Sequence, residues 1–242
     1  MLLAGLAAGT INTVVGSGTL VTFPALLAVG YPPVVANVSN NVGLVAGGLS
    51  GVFGYRRELA GQRERVLRFG AASLLGGTAG AVLLLVLPES AFEAIVPAFI
   101  VAALVLIVFQ PRLARLLEKR DSTPRAHGPA AWFAVLVTGM YGGYFGAAQG
   151  ILLLAFLGLA LPDDLQRVNA LKNVLATLVN AVSAVVFVIA ADIAWLPVLM
   201  IAAGSTAGGQ LGARYGRRLP QGALRAVIVV VGLAAVAKLL VG

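Results

Sequence analysis

VVGSGTL, residues 14–20, interrupts an apolar run that begins at Met1 and resumes to Leu27. A Gly-Ser-Gly in this setting has three readings: a nucleotide-binding loop, a surface turn, or a break placed inside a membrane. The first fails on the residues themselves. GSGTLV lacks the third glycine of G-x-G-x-x-G, no acidic residue follows at the required distance, and the chain contains no G-K-[ST].

Composition removes the second reading. Of 242 residues, 60% are hydrophobic and 11% charged, mean hydropathy is +0.97, and apolar stretches of about twenty residues recur from end to end. A soluble domain of this size needs a charged surface, and here charge is confined to a few short segments. The reading is an all-α polytopic membrane protein with the bilayer as its partner. The excess of 17 Lys and Arg over 9 Asp and Glu then reports topology, and nucleic acid is not an expected partner. Without cysteine there are no disulfides and no thiolate chemistry. His127 is the lone histidine and lies in a polar linker, so no metal and no cofactor is expected.

The break has a counterpart. A gapless shift of 132 residues places Gly18 on Gly150, Asn37 on Asn169, Asn41 on Asn173 and Ser73 on Ser205. It also places Gly76, Gly77, Gly80 and Ala81 on Gly208, Gly209, Gly212 and Ala213, and Leu87-Pro88 on Leu219-Pro220. Two membrane repeats are therefore predicted, residues 1–109 and 130–242, joined by a cytoplasmic linker at 110–129.

The flanks of Gly16-Ser17-Gly18 reach only about 21 and 17 Å at 1.5 Å per residue, little more than half of a ~30 Å hydrocarbon core. Either one long helix is broken midway, giving eight spans in all, or a re-entrant hairpin has Gly-Ser-Gly at its tip. Loop charge favours the hairpin, because cytoplasmic loops carry excess Lys and Arg. The basic loops are residues 56–68, the linker, and RYGRR at 214–218. They share one side only if each half crosses an odd number of times. The expectation is inverted repeats, each a hairpin plus three spanning helices, with both termini outside.

Inversion brings the tips, Gly16-Ser17-Gly18 and Ala147-Ala148-Gln149-Gly150, together. Irregular backbone at membrane depth is tolerated where it lines a polar cavity. The half-helices that start there turn their free N–H groups toward an anion. ANVSNN places Asn37, Asn40 and Asn41 on one helical face, and VNALKN places Asn169, Lys172 and Asn173 at the matching positions. Lys172 has two readings: an ammonium capping hairpin carbonyls, or a cation neutralising a bound anion beside the Asn amides. Ser17, Thr19, Tyr141 and Gln149 flank the tips as further donors. The candidate binding residues are thus Gly16, Ser17, Gly18, Thr19, Asn37, Asn40, Asn41, Tyr141, Gln149, Gly150, Asn169, Lys172 and Asn173. No nucleophile, base or carboxylate pair accompanies them, so an enzyme is not expected.

The combination of GSGTLVTFPALLAVGYPPVVANVSNNV with GMYGGYFGAAQGILLLAFLGL and NALKNVL resembles the TauE/SafE sulfite-exporter family over nearly the whole chain. The resemblance implies movement of sulfite, sulfonates such as sulfoacetate, or related organosulfur anions across a bacterial inner membrane. It places the family's first motif at Gly16, Ser17, Gly18 and Pro24, its second at Gly142, Gly143, Gly146 and Gly150, and its polar helix starts at Asn37, Asn41, Asn169, Lys172 and Asn173. Members often carry a run of glycines where this chain has Ser17 and Thr19. No Asp or Glu lies deep in an apolar segment to couple protons or sodium, and moving one negative charge outward gains about 2.3 kcal/mol per 100 mV, so export is the expected direction. Import coupled to a cation, and a non-transporting assembly subunit or homo-oligomer built on the glycine-rich faces, are the alternatives.

Overall fold

The computed structural model describes residues 1–118, 128–161, 163–216 and 221–241. These form ten helices and no strand: α1 (Leu2–Val14), α2 (Thr19–Val29), α3 (Pro33–Gly54), α4 (Arg63–Val86), α5 (Glu89–Glu118), α6 (Pro129–Tyr144), α7 (Gln149–Ala160), α8 (Leu165–Ala190), α9 (Trp195–Tyr215) and α10 (Gln221–Val241). By length and composition Arg63–Val86, Glu89–Arg112 and Leu165–Ala190 are apolar and long enough to cross a bilayer. α1, α2 and α7 are apolar but have 13, 11 and 12 residues, about 16–20 Å at 1.5 Å per residue.

Two boundaries differ from the sequence reading. α5 does not stop at Phe109 but continues through Pro111 to Glu118, so the first part of the expected linker is helical; its remaining residues 119–127, with Lys119, Arg120, Arg125 and His127, lie outside the described residues. The second break falls at residues 145–148, and Gln149 and Gly150 open α7. Of the basic stretch at 214–218, Arg217 and Arg218 also lie outside the described residues.

Adding 132 to the first residues of α3, α4 and α5 (Pro33, Arg63, Glu89) gives the first residues of α8, α9 and α10 (Leu165, Trp195, Gln221). The short helices obey a different offset, 130, which superposes the C-caps Val15 and Phe145 and the N-caps Gly18 and Ala148. Packing crosses between the halves. α1 lies on α9 while α6 lies on α4; α3 meets α8 and α9, and α8 meets α3 and α4; α5 meets α10 and α7, and α10 meets α5 and α2. Exchanging the two halves leaves this set of neighbours unchanged.

Close backbone approach makes these contacts possible. Lipid tails are as apolar as leucine, so helices in a bilayer gain by dispersion between surfaces that fit, and small residues let them fit. A Cβ on Gly80 would collide with the Met140 carbonyl of α6, and one on Gly208 with the Leu6 carbonyl of α1. Polar contacts lock the same crossings: Thr10 Oγ1 donates to the Gly208 carbonyl at 3.1 Å, and Ser205 Oγ to the Gly43 carbonyl at 3.2 Å.

A clamp ties the α3–α4 connection to the α7–α8 connection. Asp163 pairs with Arg65 and, at 3.0 Å, with Arg167. Arg167 Nη1 donates to the Ala60 carbonyl at 3.1 Å, and the buried Gln62 donates to the Arg167 carbonyl at 3.0 Å. Burial raises the Asp163 pKa, but the hydrogen bonds from Arg65 and Arg167 outweigh it and hold the carboxyl below its usual range. A depressed carboxylate pKa stabilises the fold above the unfolded value, and that stability disappears as pH falls through the folded value.

Two predictions follow from this packing. Gly80→Leu and Gly208→Leu will each lower stability by about 1–3 kcal/mol or prevent folding, whereas Gly222→Ala, where an added Cβ meets nothing within 4 Å, will be neutral or slightly stabilising; melting in detergent measures all three. Asp163→Asn will lower the melting temperature at pH 7, with about 1.5–3 kcal/mol expected for a lost charged hydrogen bond. The wild type will approach the variant only below about pH 4, near the unfolded carboxyl value.

Candidate functional site

Both short hairpins break in the same way. The N–H groups of Val15 and Gly16 donate to the Ile11 carbonyl at 2.7 and 3.0 Å, and those of Phe145 and Gly146 to the Tyr141 carbonyl at 2.9 and 3.1 Å. Gly16 and Gly146 adopt φ of +87° and +77°, the left-handed conformation that ends a helix and that glycine reaches without strain. The chain then turns back: a Cβ on Gly18 would meet the Ala8 carbonyl and lie 3.0 Å from Asn12 Cβ, both on α1.

The two breaks touch. The Gly150 N–H donates to the Gly16 carbonyl at 3.0 Å. A Cβ built on either glycine would sit 2.5 Å from the other's Cα. The hydrogen bond joins the two halves through backbone alone, and a side chain at either position would separate them.

Helices that end in the protein interior leave carbonyls to be satisfied. The polar faces of α3 and α8 do this, each for the other half. Lys172 is 1% exposed, and its Nζ donates to the Asn12 and Thr13 carbonyls of α1 at 3.2 and 3.4 Å. The amides of Asn169 and Asn173 reach the same Thr13 carbonyl at 3.4 and 3.3 Å. On the opposite hairpin, the Asn37 amide donates to the Tyr144 carbonyl at 2.9 Å, and the Tyr141 hydroxyl to the Ala147 carbonyl at 2.5 Å. Asn40, at the position matching Lys172, turns instead to α2: its amide donates to Thr19 Oγ1 at 3.3 Å and its Oδ1 accepts from Thr22. Asn41 stands apart, its amide 3.5 Å from Asn180 Oδ1.

Several donors are left over around the touching breaks. The Ser17 hydroxyl and the Gln149 side-chain nitrogen are buried and have no hydrogen-bond partner. Among the described residues the N–H groups of Ser17, Gly18 and Thr19 have none either, so the start of α2 presents successive unpaired donors at the positive end of its dipole. At α7 the N–H groups of the matching residues Ala147 and Ala148 are likewise without a partner among the described residues, but that of Gln149, matching Thr19, donates to Gly146 at 3.2 Å, and the next, Gly150, donates to Gly16. The Gln149 side chain lies over Gly142, where any side chain would collide with it. Phe23, Phe92, Phe99, Tyr144 and Phe145 form an aromatic cluster against the second break, with the Phe23 and Phe145 ring centroids 5.2 Å apart.

The structure therefore brings together Gly16, Ser17, Gly18, Thr19, Gln149 and Gly150 at one place. Asn169, Lys172 and Asn173 gather just before the break, at the end of α1; Asn37 and Tyr141 hold the end of α6, and Asn40 and Asn41 face elsewhere. Sequence reasoning missed the Asn12 and Thr13 carbonyls, which carry no side-chain signal. It also missed Thr22, the partner of Asn40, and the Gly146 cap, which the 130-residue offset reveals and the 132-residue offset hides.

The model of the family described as "Sulfite exporter TauE/SafE" matches residues 1–239. The chain is 28% identical over 236 residues to the "Probable membrane transporter protein YfcA" of Escherichia coli strain K12, covering 96% of this chain and 86% of that protein. It is 26% identical over 238 residues to a "Probable membrane transporter protein" of Haemophilus influenzae, covering 97% and 91%. A further "Probable membrane transporter protein", ORF9 of a Sinorhizobium species, is 25% identical over 241 residues, covering 99% and 91%. No solved structure matches the chain. With its family model matched over nearly the full length and its relatives named as transporters, the chain is a membrane protein that belongs to the sulfite exporter TauE/SafE family.

Proposed function

We propose that this protein carries small organosulfur anions, sulfite or a sulfonate such as sulfoacetate, out of a bacterial cell across the inner membrane, and that the anion binds where the two breaks meet. The observation that carries the reading is the set of buried donors without partners: the Ser17 hydroxyl, the Gln149 amide and the N–H groups of residues 17–19. An unsatisfied buried donor costs about 1–3 kcal/mol, and an oxyanion brings several acceptor oxygens of the kind such donors lack. The positive end of α2 adds to the attraction.

Alternating access follows from the crossed packing. The two halves are read as inverted repeats, with α1–α2 and α6–α7 as re-entrant hairpins and three spanning helices beside each. The shared helix starts and the neighbour set unchanged by exchanging halves support this reading. A site at the seam opens to one side when the halves rock one way and to the other when they rock back. In this scheme the clamp of Arg65, Asp163 and Arg167 lies on the side of the basic loops, which is the cytoplasm. Export needs no coupling ion, since an anion moving outward down an inside-negative potential gains about 2.3 kcal/mol per charge per 100 mV.

Flux of labelled sulfite and sulfoacetate from proteoliposomes tests the site. Ser17→Ala and Gln149→Met will each lower kcat/KM about tenfold or more, equivalent to a lost charged hydrogen bond of about 1.5–3 kcal/mol, without a matching fall in melting temperature; unchanged flux in both would remove the breaks from the binding site. Orientation is read separately with single cysteines, because the chain has none of its own. In intact cells an impermeant maleimide will label Asp192→Cys and leave Arg214→Cys unlabelled; labelling at 214 would restore eight spans.

A further inference from the structure

Lys172 places a fully buried amine where no carboxylate meets it among the described residues. Its Nζ instead faces the Asn12 and Thr13 carbonyls at the carboxyl end of α1. That end carries roughly half a negative charge from the helix dipole. Carbonyls at the end of an interrupted membrane helix are the type of ligand that transporters use for sodium. The other hairpin ends without any charge, its carbonyls met by the neutral donors Asn37 and Tyr141, and the residue matching Lys172 there is Asn40. A positive charge is thus supplied at one helix end only, and it is supplied covalently.

We infer that Lys172 is a tethered cation: its ammonium fills the place that a bound sodium ion would otherwise fill at the end of α1, and anion transport consequently runs without sodium. The second half of this statement rests on the transport reading above; the first half does not. The apolar stem of Lys172 is buried, and its ammonium reaches the carbonyls. Removing the side chain leaves the Asn12 carbonyl, and the Thr13 carbonyl that the Asn169 and Asn173 amides still reach, at the negative end of a dipole, together with the space the ammonium occupied. A small monovalent cation fits that vacancy by charge and by ligand chemistry, and a primary alkylammonium replaces the missing group outright.

The test compares wild type, Lys172→Ala and Lys172→Met in sodium chloride, ethylammonium chloride and choline chloride of equal ionic strength. Wild-type melting temperature and flux will be the same in sodium and choline. Lys172→Ala will melt about 4–10 °C lower than wild type in choline and regain half or more of that loss in ~100 mM sodium or ethylammonium, the response mass action gives a newly opened site. Lys172→Met, whose side chain fills the space without the charge, will be destabilised and will not respond to cations. A Lys172→Ala protein that folds and shows no difference among the three salts overturns the inference, as does wild-type flux or melting that depends on sodium. Should neither variant fold in any salt, the wild-type comparison decides alone. A wild type that carries no anion refutes the transport reading, and the melting arm still decides whether Lys172 is a tethered cation.

Discussion

Two helices in this protein end in its interior, and their terminal carbonyls have to be satisfied there. Water does this for a soluble helix; within a bilayer the protein must. α1 and α6 each stop at a left-handed glycine, Gly16 or Gly146. The donors that meet their last carbonyls come from the opposite half of the chain, Asn169, Lys172 and Asn173 for α1 and Asn37 for α6. Neither half has these bonds alone. The requirement explains why α3 and α8 are the polar helices and why they pack at the centre, against each other and against both hairpins. It also explains why the glycine stripes of α4 and α9 bind the hairpin helix of the other half and not their own.

Interlocking of this kind brings the two hairpin tips into contact at the seam between the halves. The same breaks that expose carbonyls at the ends of α1 and α6 expose N–H groups at the starts of α2 and α7, so each hairpin tip has a negative and a positive face. The negative faces are covered by amides and by one ammonium. At the start of α7 the Gly146 and Gly16 carbonyls take the N–H groups of Gln149 and Gly150 and leave those of Ala147 and Ala148 open, whereas at the start of α2 three successive groups, residues 17–19, stay open among the described residues. The two tips are therefore unequal although the halves share their neighbours, and the inequality traces to a handful of positions: Ser17 beside the unpaired N–H groups, Gln149 folded over Gly142, and Lys172 where the first half has Asn40.

Much of this was legible in the sequence. The half-length flanks of Gly16-Ser17-Gly18 gave the break, and the spacing of Asn37, Asn40 and Asn41 and of Asn169, Lys172 and Asn173 gave the polar faces of α3 and α8. What periodicity cannot tell is whose carbonyl a buried amide reaches, because that depends on which half packs where; both readings of Lys172 were equally compatible with its position in a helix. The register of the hairpins was hidden for a different reason. The pairing of Gly18 with Gly150 at offset 132 was a good match of residues, yet in space Gly16 touches Gly150 while its counterpart in conformation is Gly146. Offset 132 thus pairs Gly150 with a glycine it does not touch, two residues from the one it does, and the shared backbone geometry lies at offset 130. The end of α5 is hidden because the sequence turns polar at Gln110 and reads as linker from there, whereas the helix carries both Pro97 and Pro111 and continues to Glu118.

The clamp at Asp163 shows how asymmetry extends beyond the site. Its counterpart, where the α8–α9 connection meets α3, has one neutral hydrogen bond, from the Ala194 N–H to Ser39 Oγ at 2.9 Å. Among the described residues the first connection is thus held by two ion pairs and a buried glutamine, and its counterpart by the Ser39 hydroxyl. Charged hydrogen bonds are roughly twice as strong as neutral ones, so if the halves rock about the Gly16–Gly150 contact, the two connections separate at different cost.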